Sequence, residues 1–228
     1  MNALVSSRLA TCLLGFTVCA TGSAWAVSIP VTNPGFEDPF KVEGAPITYN
    51  DIVGWPPNPA TSLNISGTFN PTTAYYDGEA PEGQMIAFVN GTGQFIYQTI
   101  NQEITPGLTY TLQVDVGRSK FATAGWDYQV ELRGYRSSDN SYIQLLASDT
   151  SLAPELGQFL TSTVTWTAPD SLGGLAYDRL GIGLVNLGSV QVNFDDVRLE
   201  AVPIPAAAWL FGSGLLGMVG IARKKKAA

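Results

Sequence analysis

No histidine occurs among the 228 residues, and both cysteines, Cys12 and Cys19, lie in the first 26. The rest of the chain therefore has no imidazole base, no thiolate nucleophile, no His-ligated zinc and no disulfide framework. Proton transfer would fall to carboxylates, and a pair of them, one protonated and one ionised, is the equipment of glycoside hydrolysis. Glu37, Glu79, Glu82 and Glu131 supply the number, but spacing along the chain does not set their separation in space. G-x-S-x-G, S-x-x-K and H-E-x-x-H patterns are absent. A second acidic group is the pair Asp195-Asp196. Val190, Val192 and Phe194 share one parity and Val197 and Leu199 the other, so a regular strand would turn one set outward. A bulge at Asp195-Asp196 returns both sets to the core and re-aims a carboxylate. That carboxylate then either holds a metal or sits solvated at the end of a strand.

The elements that would position these groups are strands. Leu108, Tyr110, Leu112, Val114 and Val116 alternate with polar residues, as do Trp126, Tyr128, Val130 and Leu132, the period of a half-buried strand. By that alternation Trp126 and Tyr128 belong to the core. Further strands are expected over 84–90, 94–100, 142–147, 159–166, 180–186 and 190–199, separated by Asn90-Gly91, Pro106-Gly107, Ser138-Asp139-Asn140 and Leu187-Gly188. Many short strands without an amphipathic helix predict an all-β fold, an antiparallel β-sandwich of the jelly-roll form, in one domain over 27–201. Asn33 to Pro81, rich in Pro, Gly, Asn and Thr, reads as long loops over one end of it.

The two ends of the chain read as addresses. Residues 1–26 combine Arg8, an apolar stretch and Ala24-Trp25-Ala26, the pattern of a signal peptide cleaved before Val27. At the other end, Ala206 to Ala222 is apolar and uncharged, and as a helix would cover about 25 Å, the low end of a membrane span. Arg223, Lys224, Lys225 and Lys226 follow and place that end in the cytoplasm. Between them the chain holds seven basic and 19 acidic residues, a balance that argues against nucleic acid and anionic lipid as partners. Residues 202–226, with Val202, Pro203, Ile204 and Pro205 ahead of the span and the basic cluster, resemble the PEP-CTERM sorting signals, in the variant that reads Val-Pro-Leu-Pro-Ala. The resemblance implies export through the inner membrane, transient anchoring there, and processing by an exosortase-type enzyme on the way to the cell surface or extracellular matrix. Ile204 stands where the name-giving motif has Glu.

Asn33-Pro34-Gly35-Phe36-Glu37, Tyr97-Gln98-Thr99-Ile100 with Pro106-Gly107-Leu108-Thr109-Tyr110, and Phe194-Asp195-Asp196-Val197-Arg198-Leu199 occur in that order. Together they resemble the galactose-binding-like jelly rolls that include bacterial carbohydrate-binding modules. That resemblance implies a structural Ca²⁺ tying the first strand to the last, with Glu37 and Asp195 as carboxylate ligands, and such a metal suits a domain without disulfides. It also implies sugar binding, for which Trp55, Tyr75 and Tyr76 are the stacking candidates because they lie in the loop-rich region. The expectation is a non-catalytic surface protein that binds extracellular polysaccharide. The alternatives are a structural matrix or biofilm protein without a small ligand and a carboxylate-dependent glycoside hydrolase.

Overall fold

Alternating side chains build ten strands in the computed structural model, which describes residues 25–45, 47–57 and 65–203. They are β1 (Val27–Ile29), β2 (Ser66–Phe69), β3 (Ile86–Val89), β4 (Gln94–Glu103), β5 (Leu108–Arg118), β6 (Tyr128–Arg136), β7 (Ser141–Asp149), β8 (Gln158–Thr167), β9 (Arg179–Asn186) and β10 (Val192–Pro203). The first sheet runs β2-β3-β10-β5-β8, with β1 also paired to β10, and the second runs β4-β9-β6-β7. Every pairing is antiparallel. Leu112, Val114, Val116, Phe194 and Leu199 of the first sheet share one buried core with Ile96, Val130, Leu132, Ile182 and Leu184 of the second. The fold is therefore the expected β-sandwich. Eight of its strands, β3 to β10, fall where strands were expected. β1 and β2 were not expected, and the four residues of β2, Ser-Gly-Thr-Phe, are buried on both faces and so show no alternation.

The expected bulge is present. Pairing of β10 with β5 shifts register between Asp195 and Arg198, and Asp196 takes φ 46°. Phe194, Val197 and Leu199 all end in the core as a result. The freed backbone is used, since Val197 N–H donates to Pro34 O at 3.0 Å, and this ties the first loop to the last strand.

β10 continues past the expected domain boundary. Val202 pairs with Thr109 and Pro203 with Leu108, so the first two of the four residues expected to form a sorting motif lie in the sheet. Ile204, Pro205, the expected span 206–222, the basic cluster and nearly all of the expected signal peptide lie outside the described residues. Among the described residues no helix is long and apolar enough to cross a membrane.

Candidate functional site

The residues chosen as sugar platforms are not surface aromatics. Trp55 is 1% exposed, packs on Phe36 at 5.3 Å between ring centres, and donates from Nε1 to Thr32 O and Asn33 O. Tyr76 is also 1% exposed, stacks on Phe159 at 4.4 Å, and donates its hydroxyl to Asn193 Oδ1 at 2.8 Å. Burial raises the Tyr76 phenol well above its ordinary value. Tyr75, half-buried, sits edge-on to Phe69 and Phe121. The reason is architectural: Phe69, Tyr76, Ile86 and Phe88 form a second core on the outer face of the first sheet, roofed by the loops. A position in a loop did not mean exposure here.

The carboxylates divide between two places. Glu37 Oε1 accepts the N–H groups of Gln84 and Met85, and Asp195 Oδ2 accepts that of Glu82 at 2.9 Å. The segment 82–85 is thus clamped from both sides. Asp195 is fully buried, and its environment pushes its carboxyl up to about 8. Burial is the main cause; N–H groups of Glu82 and Asp196 oppose it and the charges of Glu82 and Asp196 add to it. Glu82 is likewise raised, by partial burial and then by the charges of Glu37 and Asp196. Among the described residues no group of three His, Cys, Asp or Glu side chains is disposed to hold a metal.

Glu131 lies apart, on the outer face of the second sheet. The register across that sheet sets Tyr97 of β4 beside Gly183 of β9 and Glu131 of β6, and in the next row Thr99, Gly181 and Arg133. With only glycine in the middle strand, long side chains from β6 can lie flat across it. A Cβ at Gly183 would overlap the Arg133 guanidinium, and one at Gly181 would overlap the Tyr135 ring. Arg133 extends over Phe95, 4.2 Å from its ring centre, and lies 5.3 Å from that of Tyr142. Its Nη2 meets Glu131 Oε2 at 2.5 Å, and both partners are almost buried. Tyr135 lies parallel to Tyr97 within 11°, centres 6.4 Å apart, and edge-on to Tyr142 at 5.8 Å. Burial is the main cause that raises the Tyr135 phenol, and Arg133 opposes it. Phe95, Tyr97, Glu131, Arg133, Tyr135 and Tyr142 enclose a trough of about 330 Å³, within the size range of small-molecule sites. Glu131 and Arg133 alternate with the core residues Val130 and Leu132 and so were expected on the solvent face, and the trough was not expected. The signal was the spacing by two of Phe95-Tyr97, Glu131-Arg133-Tyr135 and Gly181-Gly183.

The two antiparallel sheets thus carry one open aromatic trough lined by a carboxylate, a guanidinium and phenols. The model of the HpiC1-like family, described as HpiC1 cyclase, matches residues 27–200, and the chain belongs to that family. The Stig cyclase Fisc from Fischerella sp. TAU, solved in complex with (3Z)-3-(1-methyl-2-pyrrolidinylidene)-3H-indole, is 33% identical. That match covers 78% of this chain and 99% of the other at a TM-score of 0.66. A cyclase from Fischerella sp. TAU in complex with 4-(1H-indol-3-yl)butan-2-one is 32% identical, covering 78% and 98% of the two chains at a TM-score of 0.63. A carbohydrate-binding module of the CBM4 type, 20% identical, matches at a TM-score of 0.43 over 75% of this chain and 99% of the other. No curated protein matches the chain.

These findings correct the functional expectation. A non-catalytic polysaccharide-binding protein does not agree with membership of a cyclase family supported by two ligand-bound cyclase structures. The glycosidase alternative is overturned by the same family match.

Proposed function

We propose that the mature domain is a cyclase that closes a ring on an indole-bearing small molecule. The observation that carries this is the family match over 27–200, with the two indole ligands seen in similar cyclases giving the substrate class. Ring closure within one molecule needs no nucleophilic serine or cysteine, which accords with a mature chain lacking His and Cys. Protons must then be moved by carboxyl or phenol groups. Asp195 is protonated at neutral pH but fully buried, so its part is to hold the segment 82–85 in place. The test is calorimetric titration with 4-(1H-indol-3-yl)butan-2-one, then incubation with an indole bearing a tethered alkene. Saturable binding and a product of unchanged mass but altered chromatographic retention are expected. No binding and no isomer would overturn the proposal.

The strand order fits the jelly-roll form of the sandwich. Calcium at Glu37 and Asp195 is part of the same proposal. Glu37 and Asp195 offer hard oxygens, the type Ca²⁺ selects, and neighbouring negative charges contribute to raising Glu82 and Asp195. A cation there would return Asp195 to its ionised form. Melting should occur at higher temperature in millimolar Ca²⁺ than in chelator, and Glu37→Ala should remove the difference; an unchanged melting temperature sinks this part. We also propose that residues 1–26 direct export and that 202–226 hold the chain in the inner membrane until an exosortase-type enzyme processes it for the surface. Because Val202 and Pro203 are paired in β10, that enzyme would have to free the strand end first. Fractionation of cells expressing the chain with and without 204–228 tests this, with loss of membrane retention expected on deletion.

A further inference from the structure

Phe40 and Val42 are apolar side chains left in solvent, 56% and 66% exposed, and the residue between them explains why. Lys41 turns inward: its Nζ donates to Thr68 O at 2.8 Å and Thr68 Oγ1 at 3.0 Å, pairs with Asp51 Oδ2 at 2.7 Å, and leaves the side chain only 11% exposed. Lys41 O accepts from Asn70 Nδ2 as well, at 3.2 Å. A lysine anchored in this way holds its two neighbours on the open side, so the apolar display is fixed by the fold. Phe40 and Val42 form part of the wall of a groove of about 680 Å³ in the loops that roof the first sheet, together with Pro71 and Ala80, and Ala80 packs beneath on the second core. The charged residues lining the groove are Glu43, Asp77 and Glu79. Lys120 already pairs with Asp77 at 2.7 Å, whereas Glu43 and Glu79 make no ion pair among the described residues.

The groove has the volume of a small-molecule site, and its walls select the ligand. A carboxylate or phosphate would be repelled by Glu43 and Glu79. A bare divalent cation needs several oxygens gathered within about 2.6 Å, and among the described residues no group of three carboxylates is so disposed. A nitrogen cation on an apolar body matches both features: the body covers Phe40 and Val42, the charge faces Glu43 and Glu79, and the Phe40 ring itself attracts a cation. We infer that this groove binds a small organic cation, an amine carried on an apolar body, at a site separate from the trough of the second sheet.

The experiment is calorimetric titration of the full chain, at neutral pH and low salt, with 4-phenylbutylamine, which is then a cation, and with 4-phenylbutan-1-ol, its neutral counterpart. The amine should bind saturably and about fivefold more tightly than the alcohol, the range of one or two exposed charge contacts. Glu43→Gln and Glu79→Gln in one chain should remove that preference, and Phe40→Ala should weaken amine binding about threefold. Glu43, Glu79 and Phe40 are exposed, so these variants keep the fold. Tyr142→Ala, in the trough, should bind the amine as the unaltered chain does. Absence of saturable amine binding, equal binding of the alcohol, or an undiminished preference in the double Gln variant overturns the site. Amine binding lost in Tyr142→Ala overturns it too, because the cation would then sit in the trough. None of these outcomes bears on the cyclase function.

Discussion

The two outer faces of the sandwich are finished in opposite ways. On the first sheet, Phe88, Ile86 and Phe69 point away from the main core and are roofed by loops that bring Tyr49 edge-on to Phe88 and stack Tyr76 on Phe159. On the second, Phe95, Tyr97 and Tyr142 line a trough whose middle strand carries glycine. Both faces are aromatic, so composition does not distinguish them. What differs is whether the protein supplies its own covering layer. Where it does, the rings contribute to stability; where it leaves them to a ligand, they contribute to binding.

Truncation should separate the two faces, and the largest effect is expected on the roofed one. Tyr76→Ala removes a buried ring and leaves Asn193 Oδ1 without its hydroxyl donor, so it should cost about 3–5 kcal/mol in urea unfolding while leaving indole binding unchanged. A Tyr76→Ala protein of normal stability would mean that the loops do not form a second core. Nearly as large is Glu131→Ala in the trough, which strands Arg133 without its anion. About 3 kcal/mol is expected, and replacing Arg133 by Met in the same chain should recover most of it, because the loss is an uncompensated charge and not a missing contact.

Two carboxyls sharpen the contrast through pH. Asp195, raised to about 8 by burial on the roofed face, keeps its proton in the folded chain at pH values where the unfolded chain has lost it. In chelator, stability should therefore fall as pH rises from about 4 to about 8, by up to about 1.4 kcal/mol per unit. Asp195→Asn should flatten that slope, and a slope that persists in this variant would assign it elsewhere. Asp149 has the opposite sign. Burial would raise it, but hydrogen bonds from Ser151, Ser162 and Tyr128 prevail and hold it down at about 2. Its contribution is present above about 4 and is lost as pH falls toward 2, so in chelator maximum stability should lie near pH 4–5. Urea midpoints across pH 2–9 measure both limbs.

The same contrast explains what could be read from the residues in order. The bulge at Asp195-Asp196 was legible because burial parity reverses within one strand. Strand positions were legible for the long alternating runs of β5 and β6 and for the apolar runs between turn residues, and not for the short β1 and β2. Trp55 and Tyr76 were misplaced because they lie in irregular segments whose burial depends on a layer assembled from residues far from them in the chain, Phe36 against Trp55 and Phe159 against Tyr76. The trough was missed for a topological reason: β9 must pass between β4 and β6 before Gly183 can lie beside Tyr97 and Glu131, and local periodicity does not show which strands become neighbours. Membership of the cyclase family left no mark in local motifs, because ring closure within one molecule requires no nucleophile motif.

The smallest expected effect tests the contrast most closely. Tyr142 packs edge-on to Tyr135 at 5.8 Å and lies 5.3 Å from Arg133, yet is half exposed. If the trough is a ligand surface, Tyr142→Ala should cost less than about 1 kcal/mol in urea unfolding, the range of a partly exposed aromatic contact, while weakening binding of the indole probe by about tenfold. Tyr76→Ala should show the reverse pattern. A Tyr142 variant that loses stability as severely as the Tyr76 variant, with binding intact, would mean that the second face is also core and that its open side faces a covering segment of the protein itself.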